Sequence, residues 1–469
     1  MRRHRLLLVG PLVLLTACSS TVLRPLPVVG ATGIGDPYYP GDGNGGYDVA
    51  RYDLDIGYDP ADDVLTGVAT ISATTTGAPL ASFSLDLVGL DVSDVQVDDT
   101  EVEVTRDGDE LVVDRGQVVV DGDFTVRVAY SGVPEPVRDG PGVSGVVPTE
   151  DGVLVVGQPD VAATWFPVND HPRDAASVEL AVTVPADLVA VSNGALVERG
   201  DPVDGQRTWT WRSDAPMAPY LVTLAVGDYD LTDRVVDGVT YRDAVSRGLP
   251  ERFAANARSA LDRQPEVVDF LADLFGSPYP FDECGAIVTD SSLGFALETQ
   301  TRPIYARDFF GSAEDAQLVV VHELAHQWTG DDLRLDRWSD IWLNEGFATY
   351  AEWAWTQAQG GETVADQLAD VLEQPADDEF WSQAIGDPGA DGDELFSSAV
   401  YVRGAATLAA LRQEVGDDAF AELLSRWTTE RAGQAVTTGE FTALATEVAG
   451  TDLTDFFAAW LGPGRPEGY

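Results

Sequence analysis

VVVHELAHQW occupies residues 319–328 of the 469-residue chain, and WLNEGFATY follows it at residues 342–350. The first stretch predicts a helix on which His322 and His326, four residues apart, lie one above the other and can share a metal ion. Glu323 is turned by about 100° from His322. It therefore lies outside the chelate, close enough to serve as a general base for a water molecule on the metal.

Capping residues place this helix, and the second stretch supplies a further ligand. Ser312 with Asp315 three residues later is typical of a helix N-terminus, and Gly330 predicts its end. The second stretch predicts a helix from about Ile341 to Gln359 that folds back against the first. Its Glu345 is the candidate third ligand, which leaves the fourth position of a tetrahedral zinc ion open. The sequence therefore predicts one zinc ion per chain.

The charge of the chain limits its partners. It has 79 acidic residues against 28 basic ones, all of them arginine, for a net charge of −51. Such a surface repels nucleic acid and anionic membranes and attracts cationic groups, including peptide N-termini. Adaptation to salt, or a genome that favours arginine codons, explains the same composition without a specific cationic partner.

The N-terminus is predicted to lie outside the folded domains. A basic start, the apolar run Leu6–Leu15 and the sequence LTAC ending at Cys18 resemble a bacterial lipoprotein signal, with residues 1–17 removed and lipid on the Cys18 sulfur. This predicts a lipid-anchored protein on the extracytoplasmic face of the cell membrane. The alternative is an ordinary secretory signal with an incidental cysteine.

Residues 18–46, rich in Gly, Pro and small polar residues, predict a flexible tether. Cys284 is predicted to be a small buried hydrophobic residue.

Two regions of different periodicity follow. Apolar residues alternate with polar ones over residues 47–233, which predicts an all-β domain of antiparallel strands. From Glu251 the period becomes helical, and residues 234–469 predict a mainly α domain that carries the candidate metal site. His171, in NDHP at residues 169–172, is predicted to be a turn residue rather than a ligand.

Five segments together resemble a known family. HELAH at 322–326 with WLNEGFA at 342–348, FGSPYPF at 275–281, FALET at 295–299 and YVRGA at 401–405 are similar to segments of the gluzincin metallo-aminopeptidases, which include aminopeptidase N and leukotriene hydrolase. In FALET, Phe and Thr stand where the family's exopeptidase motif has glycine and asparagine. The resemblance implies a β sandwich or saddle followed by a thermolysin-like catalytic domain, in a short member without the large C-terminal helical domain.

The resemblance also implies roles for individual residues. Tyr401 would stabilise the tetrahedral oxyanion, and Glu298 with Asp160 would hold the α-ammonium group of the substrate. Gln158 and Ala296 would complete the substrate-binding segments. Together with the zinc ligands and the general base, these roles predict a zinc-dependent aminopeptidase that acts on peptides with a free N-terminus.

Two other functions remain open from the sequence. One is a zinc endopeptidase, or another zinc hydrolase such as an epoxide hydrolase, working with the same site. The other is a non-catalytic surface lipoprotein that keeps the fold as a binding module. Dependence on a free substrate amine distinguishes the aminopeptidase from the first, and intact ligands, base and tyrosine argue against the second.

Overall fold

The structure is a computed structural model that describes residues 26–114, 120–138 and 142–468. The predicted signal peptide over residues 1–17 and the predicted lipidation site Cys18 lie outside the described residues, so both stay predictions. Among the residues described, no helix is long and apolar enough to cross a membrane.

The N-terminal part of the described chain is built of strands. Their bounds are β1 Val28–Val29, β2 Tyr47–Asp59, β3 Val64–Thr75, β4 Leu80–Asp86, β5 Asp91–Val97, β6 Thr100–Glu101, β7 Val104–Asp107, β8 Glu110–Asp114, β9 Asp123–Gly132, β10 Gly145–Pro148, β11 Val153–Val156, β12 Ala176–Pro185, β13 Val189–Ser192, β14 Ala195–Arg199, β15 Gln206–Met217 and β16 Leu224–Gly227.

These strands form a large sheet with two smaller sheets beside it. The large sheet has the order β14-β15-β12-β2-β3-β9-β5-β6, and the smaller ones are β1-β4-β8-β7 and β10-β11-β16-β13. Neighbouring strands are antiparallel except for the parallel pairs β2 with β12 and β1 with β4. Phe83 of β4 packs on Tyr47 and Phe124 of the large sheet, at ring-centroid distances of 5.7 and 5.3 Å. The prediction of an all-β sandwich domain is confirmed.

The remainder of the described chain is mainly helical. Its strands are β17 Tyr229–Val236, β18 Val239–Ser246, β19 Glu283–Val288, β20 Ala296–Leu297, β21 Ile304–Tyr305, β22 Arg334–Leu335 and β23 Ala435–Val436. Its helices are α1 Glu251–Leu261, α2 Gln264–Phe275, α3 Ala313–Ala325, α4 Trp342–Ala358, α5 Val364–Glu373, α6 Gly392–Leu395, α7 Gly404–Val415, α8 Asp417–Glu430, α9 Thr438–Ala449 and α10 Thr454–Leu461.

One five-stranded sheet lies beside the metal-bearing helices. Its order is β17-β18-β19-β21-β20, so β20 is an edge strand. The predicted boundary between residues 233 and 234 lies within β17, which pairs with β18 as a hairpin and so joins the sheet of the second domain. A mainly α domain follows the β domain, as the periodicity predicts.

The helices predicted around the metal site are present. The Ser312 hydroxyl accepts a hydrogen bond from the Asp315 backbone N–H at 3.1 Å, as expected of an N-cap. The backbone leaves α3 at His326 and turns at Gly330, whose φ of +146° suits glycine. The second helix, α4, lies within one residue of its predicted bounds at both ends.

The segment before β2 differs from the predicted tether over residues 18–46. In its described part, from residue 26 onward, Asp36 and Asn44 are both buried, at 1% and 0% exposure. The Asn44 amide donates to Asp86 Oδ1 at 3.1 Å, and the Asn44 carbonyl accepts from the Asn169 amide at 3.3 Å. Polar side chains therefore hold this glycine-rich segment against the β domain, which composition alone does not reveal.

Candidate metal centre and active site

Three predicted ligands meet between α3 and α4. The Nε2 atoms of His322 and His326 each lie 3.4 Å from Oε2 of Glu345, and the three ligand atoms lie within 4.8 Å of one another. The four-residue spacing brings the imidazoles together on one side of α3, and α4 supplies the carboxylate from the facing side. The structure thus brings together all three residues that the spacing predicts.

The second ring nitrogen of each histidine, Nδ1, has a hydrogen-bonding partner of its own. Nδ1 of His322 lies 2.6 Å from Oε1 of Glu352, and Nδ1 of His326 lies 3.1 Å from the Thr329 carbonyl oxygen. With an N–H at each Nδ1 donating to these acceptors, the lone pairs of both Nε2 atoms point at the centre. Glu352 is not among the site residues predicted from the sequence. It lies seven residues after Glu345, two turns along the same face of α4.

The donor set fits zinc. Two imidazole nitrogens and one carboxylate oxygen converge on one point, and three protein ligands of this kind leave room for a further ligand. Burial raises the pKa of Glu345, but the two facing imidazoles outweigh it and hold that pKa at about 2. The glutamate is therefore a carboxylate, the form that binds a metal ion.

Glu323 lies beside this centre and is only 5% exposed. Burial raises the pKa of its carboxyl group to about 8, against the lowering effect of His322 and His326. A carboxyl group with a pKa raised in this way can both accept and release a proton near neutral pH. This is the behaviour required of the predicted general base.

Tyr401 reaches the centre from a π-helical turn, Ala399–Arg403, that precedes α7. Its ring stacks on the His322 ring at a centroid distance of 5.8 Å and an angle of 17°. Two glycines bring its helix close: a Cβ at Gly346 would lie 2.8 Å from the Gly404 Cα, and a Cβ at Gly404 would lie 2.7 Å from the Gly346 Cα. Only glycine at both positions allows α4 and the start of α7 to touch.

A second carboxylate lies next to the metal centre. Ligand atoms of Glu298, Glu323 and His326 lie within 4.8 Å of one another, and Glu298 is 2% exposed. Its Oε1 accepts hydrogen bonds from the Gln158 amide at 3.1 Å and the Tyr220 hydroxyl at 3.0 Å. Burial raises the pKa of Glu298; the nearby His326 opposes this increase, and Glu345 adds to it.

Both domains contribute to this second site. Gln158 follows β11, Tyr220 lies in a short 3-10 helix at Pro219–Leu221, and the carbonyl of Glu298 accepts from the Gln327 amide of the catalytic domain at 2.8 Å. Tyr220 and Gln327 are also absent from the sequence predictions. No local spacing signals them, because each contact joins segments that are distant in the sequence.

The remaining predicted residues line a cavity of about 580 Å³ that opens onto Tyr401. Ala296, in the edge strand β20, and Gln158 belong to its wall. Asp160 lines the same cavity at an exposed position, whereas the hydrogen bond from this loop to Glu298 comes from Gln158. The structure therefore places Gln158 in direct contact with Glu298, whereas Asp160 lies further along the cavity wall.

His171 and Cys284 lie away from this centre. His171 is buried against Asp36, with 3.1 Å between its Nε2 and Oδ2 of the aspartate. Cys284 is a buried free cysteine of β19, and burial raises the pKa of its thiol to about 12. Neither residue is among the groups that could hold a metal ion in the described part of the chain.

Comparison with known proteins gives two matches to one family. The Peptidase family M1 domain matches residues 259–460, and the Peptidase M1 N-terminal domain matches residues 49–221. Aminopeptidase M1 of Arabidopsis thaliana is 26% identical over 457 residues, which cover 89% of this chain and 50% of that protein. The chain spans half or less of the length of the first curated relatives that it matches.

Two-domain solved structures match along nearly their whole length. A two-domain M1 zinc metallopeptidase mutant bound to L-arginine has a TM-score of 0.82 and 28% identity, covering 92% of this chain and 98% of the other. An M1 zinc metallopeptidase mutant from Deinococcus radiodurans, bound to a Tyr-Ser-Ala substrate, has a TM-score of 0.79 and 29% identity, covering 93% of this chain and 100% of the other. With both of its domains matched, and with the two-histidine, one-glutamate centre in place, the chain belongs to peptidase family M1.

Proposed function

We propose that this protein is a zinc-dependent aminopeptidase that removes the N-terminal residue from peptides. The observation that carries the proposal is the buried Glu298 carboxylate, whose oxygen lies within 4.8 Å of the ligand atoms of Glu323 and His326. A fixed anion beside the metal centre suits a substrate ammonium group close to the scissile bond. Only the first peptide bond of a substrate meets that condition.

Two neighbouring donors hold the ammonium site in place. Gln158 and Tyr220 both donate to Oε1 of Glu298, so the carboxylate keeps one orientation and its Oε2 is the expected acceptor for the substrate ammonium. Extended backbone at β20, an edge strand, offers hydrogen-bonding groups to a peptide lying alongside it. A free N-terminus thereby sets the register of the bound peptide.

The other residues of the centre act on the reacting bond. When bound, zinc supplies Lewis-acid chemistry that polarises a carbonyl oxygen and acidifies water. Glu323 takes a proton from the attacking water and passes it to the departing amine. The Tyr401 hydroxyl, which faces the same space, donates a hydrogen bond to the oxygen on which negative charge develops.

Cleavage of aminoacyl fluorogenic amides tests this function. The protein should release the fluorophore, lose activity with a chelator and regain it with added zinc. Glu323→Gln is the matched variant, because it keeps the shape and the bound zinc but removes the base. A protein that binds zinc and cleaves none of the amides would favour the binding-module alternative.

The location of the protein is a separate proposal. The sequence LTAC ending at Cys18 supports a lipid anchor, and Arg2, Arg3 and Arg5 support a signal peptide before it. Cys18→Ala should abolish lipid incorporation and release the protein from membranes in cell fractionation, whereas Cys284→Ala should leave both unchanged. Membrane association that survives Cys18→Ala would contradict the anchor.

A further inference from the structure

The segment Asp36–Tyr39, which precedes the β domain, reaches across to the substrate cavity. Tyr39 lines this cavity together with residues 390–393, just before and at the start of α6, and with Phe396 and Tyr401. Gln158 and its neighbours and the edge strand β20 line the same cavity. Tyr39 is therefore a lining residue from a part of the chain that lies outside both domains as predicted from the sequence.

Asp36 anchors this segment at the boundary of the two domains. Its Oδ1 accepts from the backbone N–H groups of Tyr38 and Tyr39 at 2.7 and 3.2 Å. Its Oδ2 accepts from the Trp338 backbone N–H at 2.9 Å and lies 3.1 Å from His171 Nε2. The side chains of Asp36 and His171 are both fully buried. One carboxylate thus ties the segment to the β domain and to the catalytic domain.

The two tyrosines that follow hold the loop over residues 387–391, which precedes α6. The Tyr38 hydroxyl donates to Asp387 Oδ1 and accepts from the Gly389 N–H at 2.8 Å. The Tyr39 hydroxyl donates to the Ala390 carbonyl oxygen at 2.9 Å. This loop leads through α6 to the turn that carries Tyr401. The segment therefore fixes the side of the cavity from which Tyr401 projects.

Tyr39 is also linked to the ammonium site by a chain of rings. Its ring meets Trp338 edge to face at 6.3 Å, and Trp338 packs on Tyr220 at 5.5 Å. Tyr220 donates directly to Glu298. Tyr39 thus lies on the cavity surface that Tyr401 also lines, and packed rings connect it to the group expected to hold the substrate ammonium.

The position of the cavity identifies which part of a substrate it receives. In a bound peptide, the residue between the ammonium group and the scissile carbonyl is the N-terminal residue. A cavity bordered by Gln158 on the ammonium side and Tyr401 on the carbonyl side is therefore next to the side chain of that residue. We propose that Tyr39 is a specificity-determining residue, forming part of the pocket for the side chain of the substrate's N-terminal residue. This inference rests on the proposed aminopeptidase function.

The test compares large and small N-terminal residues. In Tyr39→Ala, kcat/KM for arginyl and phenylalanyl amides should fall about tenfold or more relative to that for the alanyl amide, since only a large side chain reaches the missing wall. Tyr39→Phe keeps the ring and should hold this ratio within about threefold of the unmutated protein. Tyr58→Phe is the matched control, because its hydroxyl makes one hydrogen bond to Asp63 and does not line the cavity.

Ligand binding makes the test independent of turnover. Affinities of the zinc-loaded protein for L-phenylalanine, L-arginine and L-alanine, measured by calorimetry, should show the same selective loss in Tyr39→Ala. If that variant does not fold, Tyr39→Leu keeps apolar volume while removing the planar ring. Failure of the unmutated protein to cleave any amide would contradict the proposed function. An unchanged ratio of large to small ligands in folded Tyr39→Ala, or in Tyr39→Leu if the alanine variant does not fold, by rate or by affinity, would overturn the role of Tyr39.

Discussion

Replacing Gly404 by alanine should disable the protein without touching a ligand or a catalytic side chain. The new Cβ would lie 2.7 Å from the Gly346 Cα, and because it is attached directly to the backbone of its helix, neither atom can rotate aside. Reaching an ordinary carbon contact of about 3.5 Å requires α4 and α7 to separate by about 0.8 Å. Because Tyr401 precedes Gly404 by one turn, this displacement reaches the substrate side of the centre.

The size of the effect follows from that displacement. A misplacement of about 1 Å can cost on the order of 10²-fold in rate, so kcat should fall by about 10- to 100-fold. Overpacking lowers the free energy of unfolding by about 1–3 kcal/mol, and the better helix propensity of alanine raises it by at most about 1 kcal/mol. The Tm should therefore also fall. Measurements of kcat, zinc content and thermal unfolding test this.

Gly439→Ala is the control for Gly404→Ala. Gly439 lies in the exposed first turn of α9, where a Cβ would meet nothing nearer than Thr437 Oγ1 at 3.8 Å. This variant should keep full activity and gain stability slightly. Normal kcat and Tm in Gly404→Ala would refute the argument that this close helix contact positions Tyr401.

Three further changes test single groups. Tyr401→Phe should lower kcat by about 10²- to 10³-fold with zinc retained, as expected for one lost oxyanion donor; a near-normal kcat would assign that role to another residue. Glu352→Ala should weaken zinc binding by about 10- to 100-fold in a chelator competition, because Nδ1 of His322 loses its acceptor; unchanged affinity would contradict this. The pKa of Asp36 is about 2 in the folded protein, against 3.8 for the free side chain. Burial raises this pKa, but hydrogen bonds from His171 and from backbone N–H groups lower it by more. Asp36 therefore stabilises the fold above about pH 4, and this stabilisation, about 2 kcal/mol, is lost as pH falls towards 2. Asp36→Asn should accordingly lower the free energy of unfolding at pH 7 and change it much less near pH 2; equal losses at both pH values would show that charge is not the cause.

The metal centre could be predicted because short, local sequence patterns determine the positions of its ligands. A four-residue spacing fixes the relative positions of His322 and His326 on any helix, and the second helical pattern placed Glu345 on a facing element. Glu352 had a signal of the same kind, seven residues after Glu345, but an isolated glutamate on a helix is usually a solvated side chain. Only its contact with His322 Nδ1 distinguishes it.

Contacts between distant segments could not be predicted in this way. The segment around Asp36 has the glycine and proline content of a linker, yet its carboxylate is satisfied by groups 135 and 302 residues away. Tyr220 likewise meets Glu298 across 78 residues. Composition and periodicity describe how a segment behaves by itself, and these residues owe their positions to the packing of the two domains.

The free-amine requirement is the most direct test of the proposed function. A pair of otherwise identical peptides, one with a free N-terminus and one N-acetylated, should be incubated with the zinc-loaded protein and the products followed by mass spectrometry. We expect stepwise loss of residues from the free peptide and no cleavage of the acetylated one. We also expect Glu298→Ala to lower kcat/KM for the free peptide by about 10²-fold or more, as a loss of about 3 kcal/mol implies, and to narrow the difference in kcat/KM between the two peptides. Efficient cleavage of the acetylated peptide by the unmutated protein would contradict the aminopeptidase function and make this centre that of an endopeptidase.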